Sequence, residues 1–143
     1  MEKNITFKFT EKNFANPNQM QALTLAYIGD SIYDIMSREY VMKNHLGKIN
    51  DLHKTVSTIV SARAQASFME NILNNRILTE QEEKIYNRAK NQKNNSKAKN
   101  ASIMEYKLAT GLEAVFGYLY LEKNFERLEE MFNYIIRLYE EKQ

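Results

Sequence analysis

The chain has 143 residues, 20 Lys plus Arg against 18 Asp plus Glu for a formal net charge of +2, and contains no Cys, no Trp, one Pro and four Gly. A single domain of this size buries about two thirds of its unfolded surface and needs no staples. The composition excludes a disulfide framework and a thiolate zinc centre, two His argue against a His-rich metal site, and no apolar run reaches the ~18 residues of a membrane span. So few Gly and Pro disfavour an all-β sandwich. Met1-Glu2-Lys3-Asn4 lacks the apolar core of a signal peptide, so a soluble cytoplasmic protein with no membrane role is expected.

Residues 1–17 read as an N-terminal arm, with Ile5, Phe7 and Phe9 alternating in the manner of a short strand. Residues 18–143 read as one all-α domain. A first helix is expected from about Asn18 to His45, with Leu25, Ile28, Ile32 and Ile35 as its inward stripe and Leu23, Tyr27 and Tyr33 on another face. Gly47 stops it. A second helix, capped by Asn50 or Asp51, should run unbroken to about Asn75 with Leu52, Val56, Ile59, Val60, Ala64 and Phe68 inward. Thr79 and Glu82 form a capping box for a short helix to about Lys90. Residues 91–100 hold no large apolar side chain and read as a solvated loop of the kind that is usually functional or disordered. Helices follow from about Ser102 to Leu121 and from Phe125 onward.

Charge is uneven. Lys84 to Lys107 carries seven basic residues and one acid, which leaves 13 basic and 17 acidic residues elsewhere. A basic segment sits on an acidic body.

Two acids stand out because their surroundings are small and apolar. Asp30 follows Gly29 and shares a helical stripe with Leu23, Ala26, Tyr27 and Asp34. Glu113 is the lone acid between Leu108 and Leu121, with Ala109, Thr110, Phe116 and Gly117 as its helical neighbours. An acid so placed must be paired, hydrogen-bonded or bound to metal. If the two meet, they form a hard, all-oxygen site that suits Mg²⁺ and phosphoryl chemistry. Pairing with a base or a backbone donor is the structural alternative. Asp34 either supports such a site or pairs with Arg38, and His45 suits a helix C-terminus.

Ala26-Tyr27-Ile28-Gly29-Asp30-Ser31-Ile32 resembles the signature helix of the ribonuclease III family, and Leu112 to Leu121 resembles its second catalytic helix. Leu52-His53-Lys54 and Ile59 to Ala66 are similar to the Mini-ribonuclease III branch, and the likeness covers roughly residues 20–140. It implies an all-helical endonuclease domain that works as a homodimer. It implies Mg²⁺-dependent cleavage of double-stranded RNA to 5′-phosphate products, with Asp30 and Glu113 as catalytic and metal-binding residues. The branch further implies a ribosomal RNA precursor, that of the large subunit (23S), as substrate. The wider family has further acids where this chain has Ala26 and Thr110, which leaves open one metal ion or two. The chain runs about 30 residues past Glu113, so no separate double-stranded-RNA-binding domain is expected. RNA contact then falls to Arg88, Lys90, Lys93, Lys97 and Lys99, a salt-sensitive phosphate track without aromatic residues. His53 and Lys54 join them at a helix start with free amides, while Ser57, Ser61, Arg63 and Gln65 share one polar flank that either contacts RNA or is the solvated face of its helix. The competing reading is a non-catalytic helical RNA-binding or ribosome-assembly module.

Overall fold

The computed structural model describes residues 16–44, 47–92 and 102–143. Among these, every regular element is helical. A 3₁₀ turn, Pro17–Gln19, precedes α1 (Ala22–Asn44), α2 (Ile49–Val60), α3 (Ala62–Asn74), α4 (Glu80–Lys90), α5 (Ile103–Leu121) and α6 (Phe125–Glu141). The arm apart from its last two residues, His45, and Lys93, Lys97 and Lys99 lie outside the described residues.

Local chemistry sets most boundaries. The Thr79–Glu82 capping box forms, and Ser102 with Glu105 makes a second one at the start of α5. Asn124 caps α6 through the Arg127 amide. Three expectations fail. The first helix opens at Ala22 rather than Asn18, because Asn16 and Pro17 instead nucleate the 3₁₀ turn. The second opens at Ile49 on Lys48, without a side-chain cap, so Asn50 and Asp51 lie inside it. It is also not continuous. Ser61 adopts an extended conformation, its hydroxyl accepts from the Ala64 amide, and a new helix starts there.

Apolar α5 is the central post, with Leu108–Gly111, Leu112 and the run Ala114–Leu119 buried. α1, α3, α4 and α6 all pack against it, α1 most extensively. The inner face of α1 is not the expected Ile stripe but Leu25, Ala26, Gly29, Tyr33, Ser37 and Val41. Ile35 is exposed, and Tyr33 is buried rather than outward. The Tyr33 ring meets Phe116 edge-on at 5.2 Å and Phe132 at 6.0 Å. Below α5, Arg127 of α6 clamps buried Glu82 with two bonds of 2.8 and 2.9 Å and donates to the Ile77 carbonyl at 2.8 Å.

Candidate active site

Glycine decides how α1 meets α5. A Cβ at Gly29 would lie 1.7 Å from the Glu113 carbonyl oxygen, and one at Gly117 would lie 2.0 Å from the Leu25 carbonyl oxygen. The two backbones therefore touch, which only residues without a side chain permit. Asp30 follows the first contact on α1, and Glu113 supplies the other side of it on α5. The two side chains come close enough for the Asp30 charge to act on the Glu113 carboxyl. The convergence expected of these two acids is what the structure has.

Asp30 lies at the exposed edge of this contact, and Glu113 is partly buried. Burial pushes the Glu113 carboxyl up to about 8, with the Asp30 charge acting in the same direction and a Gln65 hydrogen bond opposing it. Gln65 Nε2 donates to Glu113 Oε2 at 3.2 Å and to the Val60 carbonyl at 2.9 Å. Buried Tyr33 sits close enough for Glu113 to help hold its hydroxyl protonated, after burial as the main cause, and that hydroxyl donates to the Ile59 carbonyl at 2.8 Å.

A cation fits this donor set. Two close carboxyl groups, one of them partly dehydrated, form an all-oxygen donor set, and the buried Gln65 Oε1 beside them has no hydrogen-bond partner among the described residues. Among the described residues no group of three or more His, Cys, Asp or Glu gathers to hold a metal. Ala26 and Thr110 are buried, and the Thr110 hydroxyl donates to the Tyr106 carbonyl of its own helix at 2.9 Å.

The other expected residues scatter. Asp34 pairs with Arg38 at 2.8 Å on the surface. His53 and Lys54 are exposed but sit one turn inside α2, past its free amides, so the helix-terminus argument for them fails. Exposed Arg63 pairs with Glu105 at 3.7 Å. Arg88 donates to the carbonyls of Asn18 and Met20, and Lys90 lies 5.9 Å from the Tyr86 ring centre. Gln65 is the main correction: it is 2 % exposed and belongs to the acid pair, not to a solvated flank. The break at Ser61 turns it inward. The signal for it in the sequence is an uncharged amide set between Ala64 and Ala66.

Comparison with known proteins agrees with this geometry. Residues 23–124 match the family described as Ribonuclease III domain. The chain is 46 % identical over 135 residues to Mini-ribonuclease 3 of Clostridium tetani, covering 94 % of this chain and 86 % of that one. It is 45 % identical over 119 residues to Mini-ribonuclease 3 of Enterococcus faecalis, covering 83 % and 90 %. A crystal structure of a Fusobacterium nucleatum protein superposes with a TM-score of 0.73 at 34 % identity, covering 83 % of this chain and 93 % of that one.

Proposed function

Since the chain belongs to the ribonuclease III family and is an endoribonuclease, we propose that it cuts double-stranded RNA at a Mg²⁺ site formed by Asp30 and Glu113. The observation that carries this is the meeting of those two side chains across the α1–α5 glycine contact. Bound there, Mg²⁺ would supply an activated water and offset charge on the scissile phosphate. The protein's part is to hold the two carboxylates at fixed separation and keep one of them partly dry.

Residues 18–143 form the catalytic domain and 1–17 an arm. The enzyme works as a homodimer. Support comes from α1, where Tyr27, Ile35 and Met42 are 81 %, 56 % and 63 % exposed. At 100° per residue these fall within a sector of about 80° that also carries exposed Ser31 and Arg38, a mixed face with three large uncovered apolar side chains, suited to a two-fold partner. Duplex contact falls to Arg88, Lys90, Lys93, Lys97 and Lys99, with His53, Lys54 and Arg63 as outlying cations. The substrate is the 23S ribosomal RNA precursor, matured in the cytoplasm to ends bearing 5′-phosphates. No helix among the described residues is long and apolar enough to cross a membrane.

Asp30→Asn removes the charge and keeps the shape. It should abolish cleavage of a plain RNA duplex in Mg²⁺ while leaving the melting temperature and duplex binding close to wild type. Wild-type cutting by Asp30→Asn refutes the site. Neutralising Lys93, Lys97 and Lys99 together should weaken duplex binding and flatten its salt dependence. An unchanged slope removes that segment from the RNA contact.

A further inference from the structure

The break at Ser61 leaves the last carbonyls of α2 in need of partners. Two that find side-chain partners take them from around the acid pair: Tyr33 donates to Ile59, and Gln65 to Val60. The Gln65 amide nitrogen carries two hydrogens, and the second is directed at Glu113 Oε2. The amide cannot be turned over, because its oxygen would then face both the Val60 carbonyl and the Glu113 carboxylate. In the orientation it must keep, Gln65 Oε1 is buried and has no partner among the described residues. Such an orphan is costly and asks for an explanation. An apolar side chain of the same length would avoid that cost and fill the same space. What it would lack is a donor braced between the helix break and Glu113.

We infer that Gln65 is a positioning residue of the nuclease site: its amide, fixed on the Val60 carbonyl, holds the Glu113 carboxylate in the orientation that meets Asp30. The inference rests on the reading of Asp30 and Glu113 as a cation site. Among the described residues, the polar groups that act on Glu113 are Asp30 and Tyr33 from α1 and Gln65 from α3, and of these Gln65 donates to its carboxylate without adding a charge. Outer partners that orient a metal-binding carboxylate typically change affinity or activity by about 10- to 100-fold when removed.

The test uses the full chain and Mn²⁺ as the probe, titrated by electron paramagnetic resonance, with wild type, Gln65→Met and Asp30→Asn side by side. Gln65→Met keeps the volume and removes both donors. It is expected to weaken Mn²⁺ binding by about 10- to 100-fold and to raise the Mg²⁺ concentration for half-maximal duplex cleavage by a similar factor. A folded Gln65→Met with wild-type Mn²⁺ affinity and Mg²⁺ dependence overturns the inference. Asp30→Asn separates the two levels: if it loses Mn²⁺ while Gln65→Met does not, only the role of Gln65 falls, and if it retains Mn²⁺ the site reading and the inference fall together. Should Gln65→Met not fold, the wild type decides. The Gln65 side-chain amide resonances are expected to move along the Mg²⁺ binding curve, and resonances that stay fixed at saturating Mg²⁺ overturn the assignment.

Discussion

Gly29→Ala tests directly the backbone contact that builds the site. A methyl at this position would lie 1.7 Å from the Glu113 carbonyl oxygen and 2.7 Å from the Gly117 nitrogen. Ordinary contact lies near about 3.5 Å, so α1 and α5 must part by roughly 2 Å. Overpacking against flexible side chains costs about 1–3 kcal/mol. Here both sides are main chain in helices, so the cost sits at or above the top of that range. The better helix propensity of Ala returns only about 1 kcal/mol. The net loss is about 2 kcal/mol or more, or a fall in melting temperature of roughly 8 °C at ~4 °C per kcal/mol. Cleavage should fall further than stability, because Asp30 and Glu113 sit on either side of the forced gap and a misplacement of about 1 Å costs on the order of 100-fold in rate. Gly47→Ala is the control: its Cβ would meet Asp51 Cβ at 3.5 Å, an ordinary contact. Differential scanning calorimetry and a duplex-cleavage assay on both variants decide the matter. Gly29→Ala melting and cutting like Gly47→Ala would refute the touching-backbone account.

Arg127→Met should cost about 3–5 kcal/mol in urea unfolding, because it strands the buried Glu82 carboxylate; a loss below about 1 kcal/mol would mean that Glu82 finds another partner. Tyr33→Phe keeps the ring contacts with Phe116 and Phe132 but leaves the Ile59 carbonyl without its donor. A loss of about 1–2 kcal/mol is expected from the same measurement, and no loss would show that the bond contributes nothing. The Glu113 carboxyl, at about 8 in the fold against 4.5 unfolded, takes up a proton on folding. Its contribution is therefore complete below about pH 4.5 and is lost as pH rises through about 8. Mg²⁺ should consequently raise the melting temperature more at about pH 8.5 than at about pH 6.5, and equal rises at both would contradict a raised Glu113.

The all-helical class and most helix ends were legible because they rest on local chemistry. Thr79 with Glu82, Ser102 with Glu105, and the apolar length of α5 each act within a few residues. The nearness of Asp30 and Glu113 follows from equally local features: each acid has small neighbours on its helix, and Gly29 and Gly117 let the two helices close on each other. The faces of α1 were not legible. Its Ile residues suggested a core stripe, whereas the core takes the face bearing Gly29, since backbone contact with α5 buries that face closely and leaves Ile35 outside. Gln65 was misplaced for a different reason. On one continuous helix it follows Ser57 and Ser61 along a polar flank, but the extended Ser61 resets the helical phase and turns Gln65 to Glu113. A one-residue break carries almost no compositional signal, yet it determines what each later side chain touches.

The glycine contact and the raised Glu113 are two sides of one constraint. Like charges on separate helices ordinarily relieve repulsion by moving apart, since side-chain torsions and helix separation are softer than a Coulomb clash in a partly dry site. Here the helices are held together by the packing of α5 against α1, and Gly29 and Gly117 let the backbones close to contact. With separation fixed, relief must come from chemistry: a proton shared with Glu113, the partial charge of the Gln65 amide, or a cation. On the proposed reading the fold accepts a local penalty that a bound divalent ion would remove, with Asp30 and Glu113 already in place to hold it. A consequence ties the two measurements together. If Gly29→Ala parts the helices, it also parts the carboxylates, and the excess fall of stability between about pH 4.5 and 8 should shrink in that variant. A Gly29→Ala protein that is destabilised yet keeps the full wild-type pH dependence would show that burial of Glu113, and not the nearness of Asp30, sets the whole effect.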